Sequence, residues 1–398
     1  MTSSPTSTRP SALGGEAMTG VSSSAAAAPR LFDLRLPPLT LLDGATVDPH
    51  HARVQWWGPE TDLPVLERLG TQVSPEPAAP VVRSAPLRAG TGPGLDSTVP
   101  TALVVHALTG EARVAGPDGW WGPLIGPGRA LDPARVRILC ANNLGSCYGS
   151  SGPLDEGWPR SVRRFTPWDQ AAALWTLLDV LGIERLRFAT GASLGGMIAL
   201  CQAVLRPGGV ERLLPIGTSA ASSAWVTGWN HVARQVLRLD PGWPSDVGRG
   251  LELARQLAML TYRAEPSLDA RHHRSAGRAD PPWPLPVQSY LEYQGKKLRR
   301  RFDARPYLLQ LEAMDTHDLD TPPPGTPERA LGGFALCVDV DTDQLFTSAQ
   351  VDVLADWLTA HGVEAHRATV RSPHGHDAFL IEWETLDPLV RLAVGSAR

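Results

Sequence analysis

The residues best equipped for covalent chemistry lie in Gly191-Ala-Ser193-Leu-Gly195, a G-x-S-x-G pentapeptide. It falls between an apolar run, Leu186 to Thr190, and an apolar stretch of helical character, Met197 to Leu205. A serine on so sharp a strand-to-helix turn sits in a strained backbone, and glycines beside it keep side chains from striking the neighbouring elements. The helix N-terminus behind the serine favours negative charge developing nearby. A serine hydroxyl is a poor nucleophile near neutral pH; it needs a base, and the base needs an orienting acid. In enzymes built on this turn the chain order is serine, acid, histidine. The acids that follow a downstream strand are Asp339, Asp341 and Asp343, and the downstream histidines are His361, His366, His374 and His376. Spacing alone does not choose among them.

Elements must hold these residues in place, and the pattern supplies them. Apolar runs at 102–106, 136–140, 186–190 and 210–216 read as buried strands, and 167–181 and 197–205 carry helical spacing. Strands alternating with helices indicate βαβ units, an α/β fold and a mainly parallel sheet. Residues 220–325 break the rhythm: they are mostly helical in pattern (251–262, 287–301) and are punctuated by Pro281-Pro-Trp-Pro-Leu-Pro286 and Pro322-Pro-Pro324. Strand, helix and strand resume at 334–338, 349–361 and 365–370. The expected organisation is a disordered tail at 1–30, an α/β core at 31–219 and 326–398, and a helical lid inserted at 220–325.

Composition narrows the function classes. The chain has 398 residues, 42% hydrophobic, with 38 Gly, 37 Pro and a formal net charge of -4. That apolar fraction supports a large core. Lysine occurs only at 296 and 297, so 35 of the 37 basic residues are arginine, yet acids outnumber bases and a nucleic-acid partner is not expected. No run of about 18 apolar residues exists to span a membrane. The first 30 residues lack the hydrophobic segment of a secretory signal. Cys140, Cys147, Cys201 and Cys337 show no metal-ligand spacing, so no metal is expected, and a reducing cytoplasm fits them.

Further motifs carry a resemblance. They are His106-Ala-Leu-Thr-Gly110, Gly119-Trp-Trp-Gly122 with Ile125-Gly-Pro-Gly128, Asn143-Leu-Gly-Ser-Cys-Tyr-Gly149 with Ser151-Gly-Pro153, and Ser193-Leu-Gly-Gly-Met197. Then follow Gln288-Ser-Tyr-Leu-Glu-Tyr-Gln-Gly295, Arg301-Phe-Asp303, Met314-Asp-Thr-His-Asp318, Asp343-Gln-Leu-Phe346 and Gly375-His-Asp-Ala-Phe379. In this order, across 100–380, they resemble the homoserine O-acetyltransferase family of α/β-hydrolase-fold acyltransferases. One departure is Gly191-Ala192-Ser193, where the family usually has Gly-Gly-Ser.

The resemblance implies that Ser193 is the nucleophile, Asp343 the orienting acid and His376 the base. It puts the oxyanion hole at the backbone N–H groups of Leu108 and Leu194. It assigns the substrate carboxylate to Arg263 and the substrate amine to Asp377; Arg234 is a rival for the carboxylate and is not included. The implied reaction moves an acetyl group from acetyl-CoA to L-homoserine through an acyl-serine, in methionine biosynthesis, with no permanently bound cofactor and a homodimer as the assembly. Three other readings remain: a succinyl-CoA donor or serine acceptor on the same scaffold, an esterase, and a non-catalytic binding protein. The last gives no reason for the three catalytic residue types to occur together in order.

Overall fold

The computed structural model describes residues 28–74, 80–81, 93–273 and 284–395. All of the tail at 1–30 except its last three residues therefore lies outside the described residues, as do Pro281, Pro282 and Trp283 of the proline run.

The chain opens with strands β1 (Arg30–Leu36), β2 (Leu39–Thr40), β3 (Thr46–Val47) and β4 (His50–Trp57), helix α1 (Leu63–Leu69) and strand β5 (Gly70–Val73). Next come β6 (Thr101–Val105), β7 (Arg137–Ala141), α2 (Pro167–Val180), β8 (Phe188–Ala192), α3 (Leu194–Leu205) and β9 (Arg212–Ile216). Helices α4 (Ala224–Arg238), α5 (Gly248–Tyr262), α6 (Glu265–His272), α7 (Pro286–Arg299) and α8 (Ala304–Asp315) follow without a strand between them. Strand β10 (Phe334–Val340), helix α9 (Ser348–Ala360), strand β11 (Glu364–Val370) and helix α10 (Trp383–Val394) complete the order.

Nine strands form one sheet in the order β11-β10-β9-β8-β6-β7-β4-β1-β5. From β11 to β7 the pairs are parallel; β4, β1 and β5 extend it antiparallel at one edge. Every residue of β6, β7 and β8 is buried, which explains their unbroken apolar runs: helices cover both faces of a parallel sheet. Helices α2, α3 and α9 pack on one face with α4, α5 and α8, while α10 and the 114–131 segment cover the other. Helix α2 starts where the sequence supplies a cap. Thr166 Oγ1 accepts from the Asp169 amide at 3.2 Å, Asp169 Oδ2 accepts from the Thr166 amide at 2.9 Å, and Pro167 occupies the first turn.

The elements at 101–216 and 334–370 fall within a few residues of the positions that periodicity indicates. The antiparallel edge was not legible, because β4 (HHARVQWW) is buried on both sides and shows no alternation. Its neighbourhood is pinned by a buried ion pair. Arg137, on β7, donates from Nε to Asp62 Oδ2 at 2.6 Å and from Nη2 to Oδ1 at 2.9 Å.

Candidate active site

Ser193 caps α3 with φ 55° and ψ -127°, and it is the only non-glycine residue with positive φ among the described residues. Such a conformation costs about 1–3 kcal/mol and is tolerated where the surroundings enforce it. Those surroundings explain the two motif glycines. A Cβ on Gly191 would lie 2.3 Å from the Gly195 backbone, and one on Gly195 would lie 2.2 Å from Val105 O. The Ala192 methyl, the departure in the motif, is accommodated: it is buried among Phe188 and Ile216.

Asp343 and His376 follow later strands and lie at the same edge of the sheet as Ser193. Asp343 follows β10 and His376 lies in the 3-10 turn Gly375–Leu380 after β11. Asp343 Oδ2 and His376 Nδ1 are 2.6 Å apart, and Asp343 Oδ1 accepts from the amides of Leu345 at 2.8 Å and Phe346 at 3.0 Å. The Asp-x-Leu-Phe motif is thus a carboxylate cradle, and the Phe346 ring lies 5.3 Å from the His376 ring. Burial works against the charged imidazole, but the charge and hydrogen bond of Asp343, helped by Asp377, outweigh it and raise the His376 pKa above 6.5.

The rival acids and histidines are occupied elsewhere. Asp339 accepts from Arg367, Ser348 and Thr369, and Asp341 accepts from the Ser372 amide. His361 stacks on Trp357, and His366 is exposed beside Glu364. His374 faces Ser267 Oγ on α6 at 3.0 Å, tying the turn that carries His376 to the inserted helices.

Ser193, His376, Asp377 and Leu108 line one cavity of about 380 Å³. Leu194 opens α3, so its amide precedes the helical hydrogen bonds and is free to point at a ligand. The other amide, Leu108, is in the turn after β6, where Gly110 N donates to Ala107 O at 2.9 Å. His106 fixes that turn: its Nδ1 bonds Ala107 O at 2.8 Å, and its Nε2 accepts from the Asn143 amide at 2.9 Å. This network defines a neutral imidazole with the proton on Nδ1, and burial pushes its pKa down to about 4. Arg301 reinforces the turn by donating to Thr109 O at 2.6 Å and to the Tyr148 hydroxyl at 2.6 Å.

The two residues expected to hold the substrate's charged ends contact each other. Arg263 lies beside a neighbouring cleft rather than the Ser193 cavity, with its Nε 3.1 Å from Asp377 Oδ2. The Nε–H is not aimed at the carboxylate, so the contact is ionic rather than a hydrogen bond. Three cations line the cavity: Lys297, Arg301, which already donates to Thr109 and Tyr148, and Arg255, whose Cζ is 5.4 Å from the centre of the Tyr262 ring. Sequence reasoning missed Arg255, although a signal was present. Arg255 and Tyr262 are seven residues apart, two turns of one helix, so both face the side of α5 that buries Leu251 and Ala254. Arg234 is taken by an ion pair with Asp315. The tryptophan pair divides: Trp121 is buried and donates to Phe379 O at 2.8 Å, while Trp120 lines the cavity.

Among the described residues no group of three or more His, Cys, Asp and Glu side chains is placed to hold a metal. All four cysteines are unpaired and buried. No helix among the described residues is long and apolar enough to cross a membrane.

A strained serine at a strand-to-helix turn, with an Asp–His pair delivered from later loops of a mainly parallel sheet, defines an α/β-hydrolase-fold protein with acyl-transfer machinery. Residues 100–257 match the α/β-hydrolase fold family. Homoserine O-acetyltransferase from Moorella thermoacetica is 38% identical over 318 residues, covering 73% of this chain and 84% of that protein. An enzyme of the same name from Nostoc punctiforme is 37% identical over 309 residues, covering 73% and 84%. The chain belongs to the homoserine O-acetyltransferase family. Among solved structures, homoserine O-acetyltransferase from Bacillus anthracis superposes with a TM-score of 0.74 at 20% identity, covering 93% of this chain and 98% of that one. Esterase E22 superposes with a TM-score of 0.72 at 18% identity, covering 92% and 100%. At these identities the superpositions establish the fold alone.

Proposed function

We propose that this chain transfers an acetyl group from acetyl-CoA to the hydroxyl of L-homoserine through an acetyl-Ser193 intermediate. The observation that carries the reading is the cavity lining, which joins Ser193 and His376 to a guanidinium, Arg255, and a carboxylate, Asp377; the lining Arg301 is bound to Thr109 and Tyr148, and the lining Glu111 to Arg113. The charges of Arg255 and Asp377 complement an α-amino acid, and family membership supplies the acceptor. A hydrolase using water needs neither charge.

With Nδ1 committed to Asp343, His376 Nε2 is the base. It takes the Ser193 proton as Oγ attacks the thioester carbon. The amides of Leu108 and Leu194 hold the oxyanion, the C–S bond breaks, and the proton passes to the coenzyme A thiolate. Homoserine then binds with its carboxylate on Arg255 and its ammonium on Asp377. Its hydroxyl gives its proton to His376 and attacks the serine ester, and Ser193 leaves carrying that proton. Arg263, paired with Asp377, orients the carboxylate rather than touching substrate.

The product, O-acetyl-L-homoserine, is an intermediate for methionine biosynthesis in the cytoplasm. The assembly is a homodimer that buries exposed apolar side chains of α4, α5 and α7, among them Trp225, Leu253 and Tyr293, and sedimentation tests it. Thiol release from acetyl-CoA and from succinyl-CoA, each with homoserine and with serine, tests the reaction. Turnover confined to acetyl-CoA with homoserine is expected; acceptor-independent release would make the chain a hydrolase.

A further inference from the structure

We propose that the N-terminal edge of the parallel sheet carries a second ligand site, separate from Ser193, that binds linked phosphate groups. Strands β6, β7 and β8 start there, whereas Ser193 follows the end of β8, so the two sites occupy opposite edges of the sheet. A cleft of about 550 Å³ opens at this edge, larger than the cavity beside Ser193.

Five arginines line it: Arg129, Arg135, Arg185, Arg187 and Arg391. Among the described residues, carboxylates beside them are fewer than the arginines. Arg185 and Arg187 share one carboxylate, Glu211, at 3.3 and 2.8 Å, and Arg391 pairs with Asp387 at 2.6 Å. Asp132, the other acid in the lining, has its oxygens turned to the amides of Gly128 and Ala134, both at 2.9 Å. Arg135 is exposed and has no ion pair among the described residues. Among the described residues, five guanidiniums therefore meet three carboxylates.

The crowding is close. A Cβ on Gly395 would lie 3.2 Å from Arg212 Cζ and 3.4 Å from Arg187 Nη2, so a sixth guanidinium abuts the cluster, with Glu364 as its nearby counter-charge. Burial and the Arg187 charge together lower the Arg212 pKa. Like charges gathered around a concave surface repel one another unless an anion joins them. Guanidinium forks match phosphate oxygens two at a time, and forks presented from several sides of one cleft suit a chain of phosphates better than a single carboxylate.

Isothermal titration of the full chain with sodium tripolyphosphate, and separately with ATP, tests the site. Saturable binding at one site per chain, weakening as salt rises, is expected. Equal affinity for the two makes the phosphate chain the whole ligand; tighter ATP binding makes the ligand a nucleotide held by its phosphates. The R135A/R185A double variant changes two exposed side chains. It is expected to bind at least about tenfold more weakly, while thiol release from acetyl-CoA with homoserine, measured without polyphosphate, stays unchanged. No saturable binding, or binding retained by the double variant, would overturn the proposal.

Discussion

Arg263 Nε lies 3.1 Å from Asp377 Oδ2, so two side chains expected at opposite ends of one amino acid hold each other. The pair joins the end of α5 to the turn that carries His376; the cations lining the cavity are Arg255, Lys297 and Arg301, and Arg301 is already bound to Thr109 and Tyr148. Loss of a charged hydrogen bond costs about 1.5–3 kcal/mol, which corresponds to about ten- to a hundredfold in affinity. Arg255→Ala is therefore expected to raise the homoserine KM by that factor and to leave the acetyl-CoA KM nearly unchanged. Arg263→Ala is expected to raise the homoserine KM less. Steady-state kinetics with each substrate varied distinguish the two, and a larger effect at Arg263 would restore it as the carboxylate ligand.

The raised pKa of His376 has a kinetic sign. The imidazole must be neutral to accept the Ser193 proton, so acetyl-enzyme formation rises with pH through a value above the ordinary 6.5. Asp377 contributes negative charge that favours the imidazolium. Asp377→Asn is expected to move the acid limb to lower pH. The burst of thiol release from acetyl-CoA without homoserine, followed across pH, reads this without involving acceptor binding.

Gly375 sets how closely the inserted helices approach the catalytic turn. It has φ +63°, and a Cβ there would lie 2.8 Å from Ala264 N and 3.0 Å from Tyr262 O. Gly375→Ala combines backbone strain with a clash against backbone. The expected loss is about 1–3 kcal/mol of stability together with a lower kcat, as His376 is displaced. Thermal denaturation and kcat measured on the same preparation check it; an unchanged kcat would show that the turn does not depend on this contact.

What the sequence disclosed follows from what was local. The G-x-S-x-G turn and the strands β6 to β10 announce themselves because glycine crowding and double-sided burial leave marks in neighbouring residues. The choice of Asp343 and His376 over Asp339 and His374 was not local, since it depends on a 2.6 Å contact between residues 33 apart, and only motif resemblance separated them. Arg255 escaped because an arginine on a long amphipathic helix looks like any solvated arginine until the helix is docked. The antiparallel strands β4 and β5 escaped because β4, paired on both sides, is buried on both faces and shows no alternation, and β5 is only four residues long.

The central claim is that Ser193 carries the acetyl group. Intact-mass spectrometry of the protein after brief exposure to acetyl-CoA without homoserine tests it most directly. The wild-type chain should gain one acetyl group, mapped to the peptide containing Ser193, and lose it when homoserine is added. Ser193→Ala should gain none and release no thiol. An acetyl group on another residue, or normal transfer by Ser193→Ala, would contradict the account.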